Sequence, residues 1–463
     1  MTLNDPSRRR WVGALAAGAL LPATRVGAAP ARAARPRLPT ELAARLAASG
    51  LPLESFGLSV VPVEGGAPWV SWQADKPFIL ASTAKVITSL CALSVLGPGY
   101  RWETRAHLGG PLHRGALLGD LRIVGGGDPS LDSQSVAQWF RRLRGQGLDR
   151  IVGDMVLDHS RFSLSEADLA STPEPSPERP HHARPDALLL DEGVVRSAAA
   201  SPGPGGAAYR RVTWQATSPG AAGCGPLSAR SALLACPAAA PEPSPAELAC
   251  RTLGALWRVQ GGGLRGRVSS LSPSAAPVVS TPWMVHASPT LAVLIQEMNK
   301  RSNNLIARHL MLSLSADFPQ VPATVPAARQ RMLAWLEQQG VAPGRIGVDS
   351  GSGLSRLERA APSALVHLLQ RAHHGPYARL FRDSLPVAGL DGTLEHRLRG
   401  GAAVGRAWLK TGTLLDTRAL AGYVQTRGGT TLAVTLLANH ETLAPQATPA
   451  LDACIEWLAA SRA

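Results

Sequence analysis

Lysine is nearly missing from this chain of 463 residues: Lys76, Lys85, Lys300 and Lys410 are all there is. The other 43 of its 47 basic residues are arginines (47 − 4). Where Arg carries nearly every positive charge, Lys is kept where Arg cannot substitute, and the chemical difference is that a buried Lys can lose its proton. Asn is as scarce, at five positions, three of them Asn299, Asn303 and Asn304. Aromatic residues make up only 5% and no long basic run occurs. The net charge of +14 therefore does not point to nucleic acid. It fits attraction to an anionic polymer or peripheral association with a membrane surface, or GC-rich coding with no partner implied. No run of 18 uncharged apolar residues lies beyond the first thirty, which excludes a polytopic membrane protein. Cysteine is limited to Cys91, Cys224, Cys236, Cys250 and Cys454, without a C-x-x-C pair. His181-His182 and His373-His374 read as surface doublets, so no metal site is expected.

What is present begins with an export signal. Arg8, Arg9 and Arg10 precede an apolar stretch from Val12 to Leu21, and small residues follow at Gly27-Ala28-Ala29. A basic, apolar, small-residue order makes residues 1–29 a signal peptide, cleaved near Ala28 or Ala29. The paired arginines before Trp11 fit twin-arginine export, and ordinary secretory export fits too. Export to the periplasm makes disulfides feasible. Cys224 and Cys236 flank a small-residue loop and are the best-placed pair, Cys91 reads as a buried hydrophobe, and the odd count leaves at least one thiol free or paired between chains.

Hydrophobic periodicity divides the rest. Phe56 to Val63 and Trp69 to Trp72 read as a strand pair, and Ser82 to Leu96 as a helix. Trp102 to Val124 is strand-like with Gly turns, Ser135 to Arg144 helical, and Ile151 to Asp158 a strand. Residues 171–185 and 216–245 are Pro-, Ser-, Ala- and Gly-rich loops. Pro289 to Leu314 gives two helices broken near Ser302-Asn303-Asn304, and Ala327 to Gln339 another helix. Ala407 to Lys410, Leu420 to Thr426 and Thr430 to Ala438 form a β-meander, closed by a helix over Pro445 to Ala460. Strands at both ends predict an α/β (α+β) fold: one antiparallel sheet flanked by helices, built from residues 36–105 and 282–463, with a large inserted mixed α/β region over 106–281.

Three short motifs carry chemistry. In Ser82-Thr83-Ala84-Lys85, Ser and Lys share a helix face about 5–6 Å apart at Cβ. A serine hydroxyl needs a base, and a desolvated Lys can serve. In Ser302-Asn303-Asn304, a second hydroxyl can relay a proton and an Asn amide can hold the lysine and a substrate carbonyl. In Lys410-Thr411-Gly412, continued by Thr413, a cation and hydroxyls can grip a carboxylate, and Gly lets a backbone approach closely. With four lysines, a chance K-T-G is expected only about 0.02 times.

The order S-x-x-K, S-x-N, K-T-G resembles the penicillin-binding protein and serine β-lactamase superfamily. The 216 residues between Lys85 and Ser302 (302 − 85 − 1) are about twice what a compact β-lactamase core needs. That gap is similar to the class C low-molecular-mass penicillin-binding proteins, the D-alanyl-D-alanine carboxypeptidase/endopeptidase family. So are the stretches Gly125 to Leu131, Gly351-Ser352-Gly353-Leu354-Ser355-Arg356 and Leu385 to Leu394. The resemblance implies that Ser82 is acylated, Lys85 is its base, and Ser302 and Asn304 assist. Lys410, Thr411, Gly412 and Thr413 would bind the terminal carboxylate, and the Ser82 and Thr413 N–H groups would form the oxyanion hole. Arg356 would contact an acidic group of the stem peptide. Substrates would be peptidoglycan stem peptides and crosslinks, β-lactams would be covalent inhibitors, and no cofactor is implied. Ser350 stands where the family often has Asp or Asn, His181-His182 replaces a Tyr-Asn pair, and Asp191 lies near an expected Asn. Asp128 and Asp391 read as turn caps.

Two rival expectations share these residues. A β-lactamase or esterase on the same core is one, although no Glu-x-x-Leu-Asn segment occurs. A non-catalytic peptidoglycan-binding protein with inherited motifs is the other.

Overall fold

The computed structural model describes residues 38–170, 184–193, 245–271, 280–441 and 447–462. The signal peptide, His181-His182, Cys224 and Cys236 lie outside them. Cys91 and Cys454 are free and buried, and Cys250 is free and half-buried.

The three longest strands are Ala407–Leu414, Thr417–Gln425 and Thr431–Asn439. They pair in sequence, all antiparallel, and Phe56–Pro62 and Val70–Trp72 extend the sheet on the far edge. The chain's two ends thus share one sheet. Its strands read as continuous apolar runs because both faces are covered. Along Thr431–Asn439, Leu432, Val434 and Leu436 point to one face, where the terminal helices Thr40–Ala47 and Ala447–Ala460 supply Leu42, Leu46, Leu451 and Ile455. Ala433 and Leu437 point to the other, against Ile87, Leu294, Leu310 and Leu365 of the helices Ala84–Val95, Leu291–Arg301, Asn304–Ser313 and Pro362–His373. The period-2 alternation of a strand separates the two cores.

The inserted region carries a mixed five-stranded sheet, in the order Val268–Ser270, Met155–Asp158, Leu121–Val124, Glu103–Leu108, Met284–Ala287, and therefore reaches a few residues beyond the expected 106–281 at both ends. Its outgoing and returning strands, Glu103–Leu108 and Met284–Ala287, pair with each other. The helix Ser133–Gly145 packs Trp139, Phe140 and Leu143 against Leu253 and Trp257 of the helix Pro245–Val259. Phe140 and Trp257 meet edge to face at 5.5 Å.

Some elements differ from expectation. The helix expected from Ser82 begins instead as a 3-10 turn, Ala81–Thr83, and becomes α-helical at Ala84. The first meander strand does not stop at Lys410 but runs to Leu414, because Thr411 and Gly412 keep pairing with Leu420 and Ala419. The helix Pro362–His373 was not anticipated, although Pro in its first turn and Leu365, Leu368 and Leu369 at helical spacing carry its signal. Among the described residues no helix is long and apolar enough to cross a membrane.

Phe140 is fully buried. Its replacement by Ala should cost about 3–5 kcal/mol in urea unfolding. The exposed neighbour Arg141, changed to Ala, should stay within about 0.5 kcal/mol of the parent protein.

Candidate active site

The helix Leu291–Arg301 ends on Ser302, which adopts φ +58°. Asn303 then caps the next helix, its Oδ1 accepting from the Ile306 N–H at 3.1 Å. This break turns the S-x-N segment toward the start of the Ala84–Val95 helix. There Ala81 is also in the left-handed region, at φ +45°, so the residue before Ser82 holds a sparsely populated conformation.

Six residues from the three motifs divide around two amines. Lys85 is fully buried, and its Nζ donates to Ser82 Oγ at 2.9 Å, Asn304 Oδ1 at 2.6 Å and the Ser352 carbonyl at 2.5 Å. Lys410, also fully buried, donates to Ser302 Oγ at 2.9 Å and its neighbour's carbonyl, that of Thr411, at 2.8 Å. Burial pushes the Lys85 amine down to about 7, with Glu358 opposing. Lys410 is pushed well down by burial and by the charge of Lys85. The ammonium of Lys85 has three N–H bonds and three acceptors. When it loses a proton, Asn304 and Ser352 engage the two that remain, and the lone pair faces Ser82 Oγ. An amine so held can take a hydroxyl proton.

The K-T-G segment passes under the nucleophile turn. A Cβ on Gly412 would meet the Leu80 carbonyl oxygen at 2.8 Å and Ala81 Cβ at 3.1 Å, so its glycine first makes room for the protein's own backbone. Thr411 Oγ1 donates to Thr393 Oγ1 at 2.8 Å, and Thr413 is exposed at the strand's end. Arg356 is half-exposed and ion-paired with Asp416 in the turn after this strand. Its guanidinium is therefore already engaged.

Three features escaped the sequence reading. Glu358, fully buried, accepts hydrogen bonds from the loop that bears Ser352. Lys300, whose rarity was its signal, donates to both Asp391 oxygens at 2.8 and 2.7 Å and to the Leu385 carbonyl at 2.6 Å. Asp391 also accepts from the Val387 N–H at 2.8 Å, so it anchors the 385–394 segment to the helix before Ser302 besides capping a turn. Glu192, from the inserted region, accepts from Asn303 Nδ2 at 2.8 Å. Asp128 caps its turn, accepting from the Ser130 N–H and hydroxyl. His374 Nε2–H donates to the Val63 carbonyl at 2.9 Å, and His373 approaches Glu64. Among the described residues no group of three or more His, Cys, Asp or Glu side chains could hold a metal ion.

A penicillin-binding-type fold with this pair of lysines matches known proteins along most of its length. The profile of the D-Ala-D-Ala carboxypeptidase 3 (S13) family covers residues 38–232 and 224–460, and the chain belongs to that family of hydrolases. It is 29% identical to the D-alanyl-D-alanine carboxypeptidase of Actinomadura sp. (strain R39), over 90% of this chain and 84% of that one. It is 26% identical to the D-alanyl-D-alanine carboxypeptidase DacB of Haemophilus influenzae, over 78% of this chain and 80% of that one. In fold it resembles the crystal structure of penicillin binding protein 4 from Haemophilus influenzae, with a TM-score of 0.67 at 22% identity, covering 87% of this chain and 93% of that one. A predatory endopeptidase from Bdellovibrio bacteriovorus has the same fold at a TM-score of 0.56 and 19% identity, covering 88% and 93%.

The closeness of the Ser350–Gly353 loop to Ser82 gives a test of this geometry. Gly353 has φ +87°, and a Cβ there would lie 1.9 Å from the Ala81 carbonyl oxygen and 2.7 Å from the Ser82 nitrogen. Gly353→Ala should reduce acylation by a β-lactam at least about 100-fold, as expected when a nucleophile is misplaced by about 1 Å. Stopped-flow labelling with a chromogenic β-lactam measures it.

Proposed function

We propose that this protein is a serine-type D-Ala-D-Ala carboxypeptidase that also acts as a D-Ala–diaminopimelate endopeptidase on peptidoglycan crosslinks. The observation that carries the reading is the fully buried Lys85 amine 2.9 Å from Ser82 Oγ, with Asn304 and Ser352 taking its other two bonds. Neutral Lys85 takes the Ser82 proton as Oγ attacks the carbonyl of the penultimate D-Ala. The Ser82 and Thr413 N–H groups stabilise the resulting oxyanion. Collapse breaks the peptide bond, and the leaving amine receives its proton through Ser302. Lys410, Thr411 and Thr413 hold the terminal carboxylate, with Gly412 leaving the strand free to lie against the nucleophile turn. Arg356 meets an acidic group of the stem peptide by sharing or exchanging its Asp416 partner. Water then hydrolyses the ester on Ser82. A β-lactam acylates the same oxygen by ring opening, which makes it a covalent inhibitor. The basic, apolar, small-residue N-terminus and this substrate support a periplasmic site of action.

Fluorescent penicillin should label the folded protein and should not label Ser82→Ala. Mass spectrometry should find D-Ala released from pentapeptides and crosslinked muropeptides cleaved. Rapid nitrocefin turnover without D-Ala release would instead favour a β-lactamase, and muropeptide binding without cleavage a scaffold.

The pH dependence follows from the base. A Lys whose proton affinity is lowered to about 7 is protonated and inactive below that pH and neutral above it. Acylation should therefore rise with pH through a midpoint near 7. Lys85→Arg keeps the charge but cannot give up its proton, so it should lower the rate about 100- to 10,000-fold at every pH below 10.

A further inference from the structure

The loop Ser350–Gly353 supplies the third partner of Lys85. It also binds the same helix a turn later, where Thr88 Oγ1 donates to the Gly351 carbonyl at 2.6 Å. Two of its residues, Gly351 and Gly353, have positive φ, so no strand ladder supports it. What supports it is Glu358. One carboxylate oxygen accepts from the Gly351 N–H at 2.6 Å and the Ser350 N–H at 3.2 Å. The other accepts from the Gly353 N–H at 2.7 Å and the Ser350 hydroxyl at 2.9 Å. Since the Ser350 proton goes to Glu358, its oxygen takes the Ser352 hydroxyl proton across 2.8 Å. The Glu358 backbone carbonyl meanwhile accepts from the Leu80 N–H at 2.9 Å, two residues before the nucleophile. One residue thus touches both the nucleophile's turn and the loop that orients its base.

Four donors and no acceptor face this carboxylate, the surroundings of an ionised group. Burial, with the charge of Asp349, pushes its proton affinity above that of an ordinary carboxylate, and the bonds from Ser350, Gly353 and Gly351 oppose the rise. The charged groups around it are Asp349, ion-paired with Arg329, and the buried Arg308 of the Asn304–Ser313 helix, which both it and Asp349 stabilise. Lys85 faces it across the loop, with Lys410 beyond.

We propose that Glu358 is a positioning residue for acylation: its buried carboxylate holds the Ser350–Gly353 loop on Lys85 and supplies the negative charge that Ser350 lacks. The proposal rests on the reading of Ser82 and Lys85 given above. Removing the charge makes protonated Lys85 less favourable, so the base becomes neutral at lower pH. A Gln also turns a donor toward loop N–H groups that need an acceptor.

The test is the second-order rate of fluorescent-penicillin acylation from pH 5 to 10, with thermal unfolding as a folding control. Glu358→Gln should move the midpoint of the rise down by about one pH unit and lower the plateau about tenfold. Adding Ser350→Asp to it, which returns a carboxylate to the same hydrogen bond, should move the midpoint back up. An unchanged midpoint and plateau in folded Glu358→Gln overturns the proposal, as does a shifted midpoint that Ser350→Asp leaves unmoved. If Glu358→Gln does not fold, Glu358→Asp decides: charge kept and reach shortened should give the parental midpoint with a lowered plateau, and a parental plateau overturns the proposal. Wild-type protein that takes no label, or takes it equally in Ser82→Ala, defeats the functional reading itself rather than this inference.

Discussion

Everything at this site depends on one amine being removed from water without being left unsatisfied. An ammonium buried alone is driven to give up its proton, and one buried among strong acceptors is held charged. Lys85 lies between those limits. It has one acceptor for each N–H, yet only neutral oxygens touch it: a hydroxyl, an amide and a backbone carbonyl. Neutral acceptors fix direction while leaving proton affinity to be set by burial and by charges farther off. Under the same burial an Arg would keep its proton, whereas Lys85 is pushed toward losing it.

The amine's partners come from three distant stretches of the chain, around residues 82, 304 and 352. Each is delivered by a different device. The 3-10 turn Ala81–Thr83 leads Ser82 into the α-helix whose first turn carries Lys85, with Ser82 Oγ 2.9 Å from its amine. The left-handed Ser302 reverses the chain so that Asn304 opens a helix beside the base. The two positive-φ glycines of the Ser350–Gly353 loop let a carbonyl point inward. Gly412 and Gly353 then leave clearance for the Leu80–Ser82 backbone between the sheet and the loop. The site is a close packing of backbones, and its specificity for glycine at those two positions is steric before it is chemical.

This explains which parts could be read from sequence. Lysine scarcity and motif order brought Ser82, Lys85, Ser302, Asn304 and Lys410 into view, because chemistry restricts residue type at those positions. The sheet was legible because its strands are apolar and sit at the two ends. Glu358 was not legible. Its neighbours in sequence, Leu357 and Arg359, are exposed, and one Glu among 33 acidic residues carries no signal of burial. Only the loop folding over it converts a surface-type residue into an internal counter-charge. The partner of Arg356 was not legible either: the side chain read as a contact for an acidic group of the stem peptide is ion-paired with Asp416, 60 residues on in the chain (416 − 356).

The inserted region bears on the same geometry through the S-x-N helix. Gly127 presents its carbonyl to His309 Nδ1 at 2.8 Å, and burial holds that imidazole neutral, with its proton affinity pushed down to about 4. The contact is therefore insensitive to pH across the range in which Lys85 titrates. One turn earlier, both ends of the Asn303 amide are used, Oδ1 by its own helix and Nδ2 by Glu192 of the insert. Asp191 and Glu192 both adopt positive φ to reach it, and Asp191 is tied to the Ser133 N–H at 2.9 Å at the start of an inserted helix. The chain break that aims Ser302 and Asn304 is thus bounded on one side by its own capping bond and on the other by a strained turn rooted in the insert. Two independent supports thus fix the break at which Ser302 Oγ meets Lys410 and, two residues on, Asn304 Oδ1 meets Lys85.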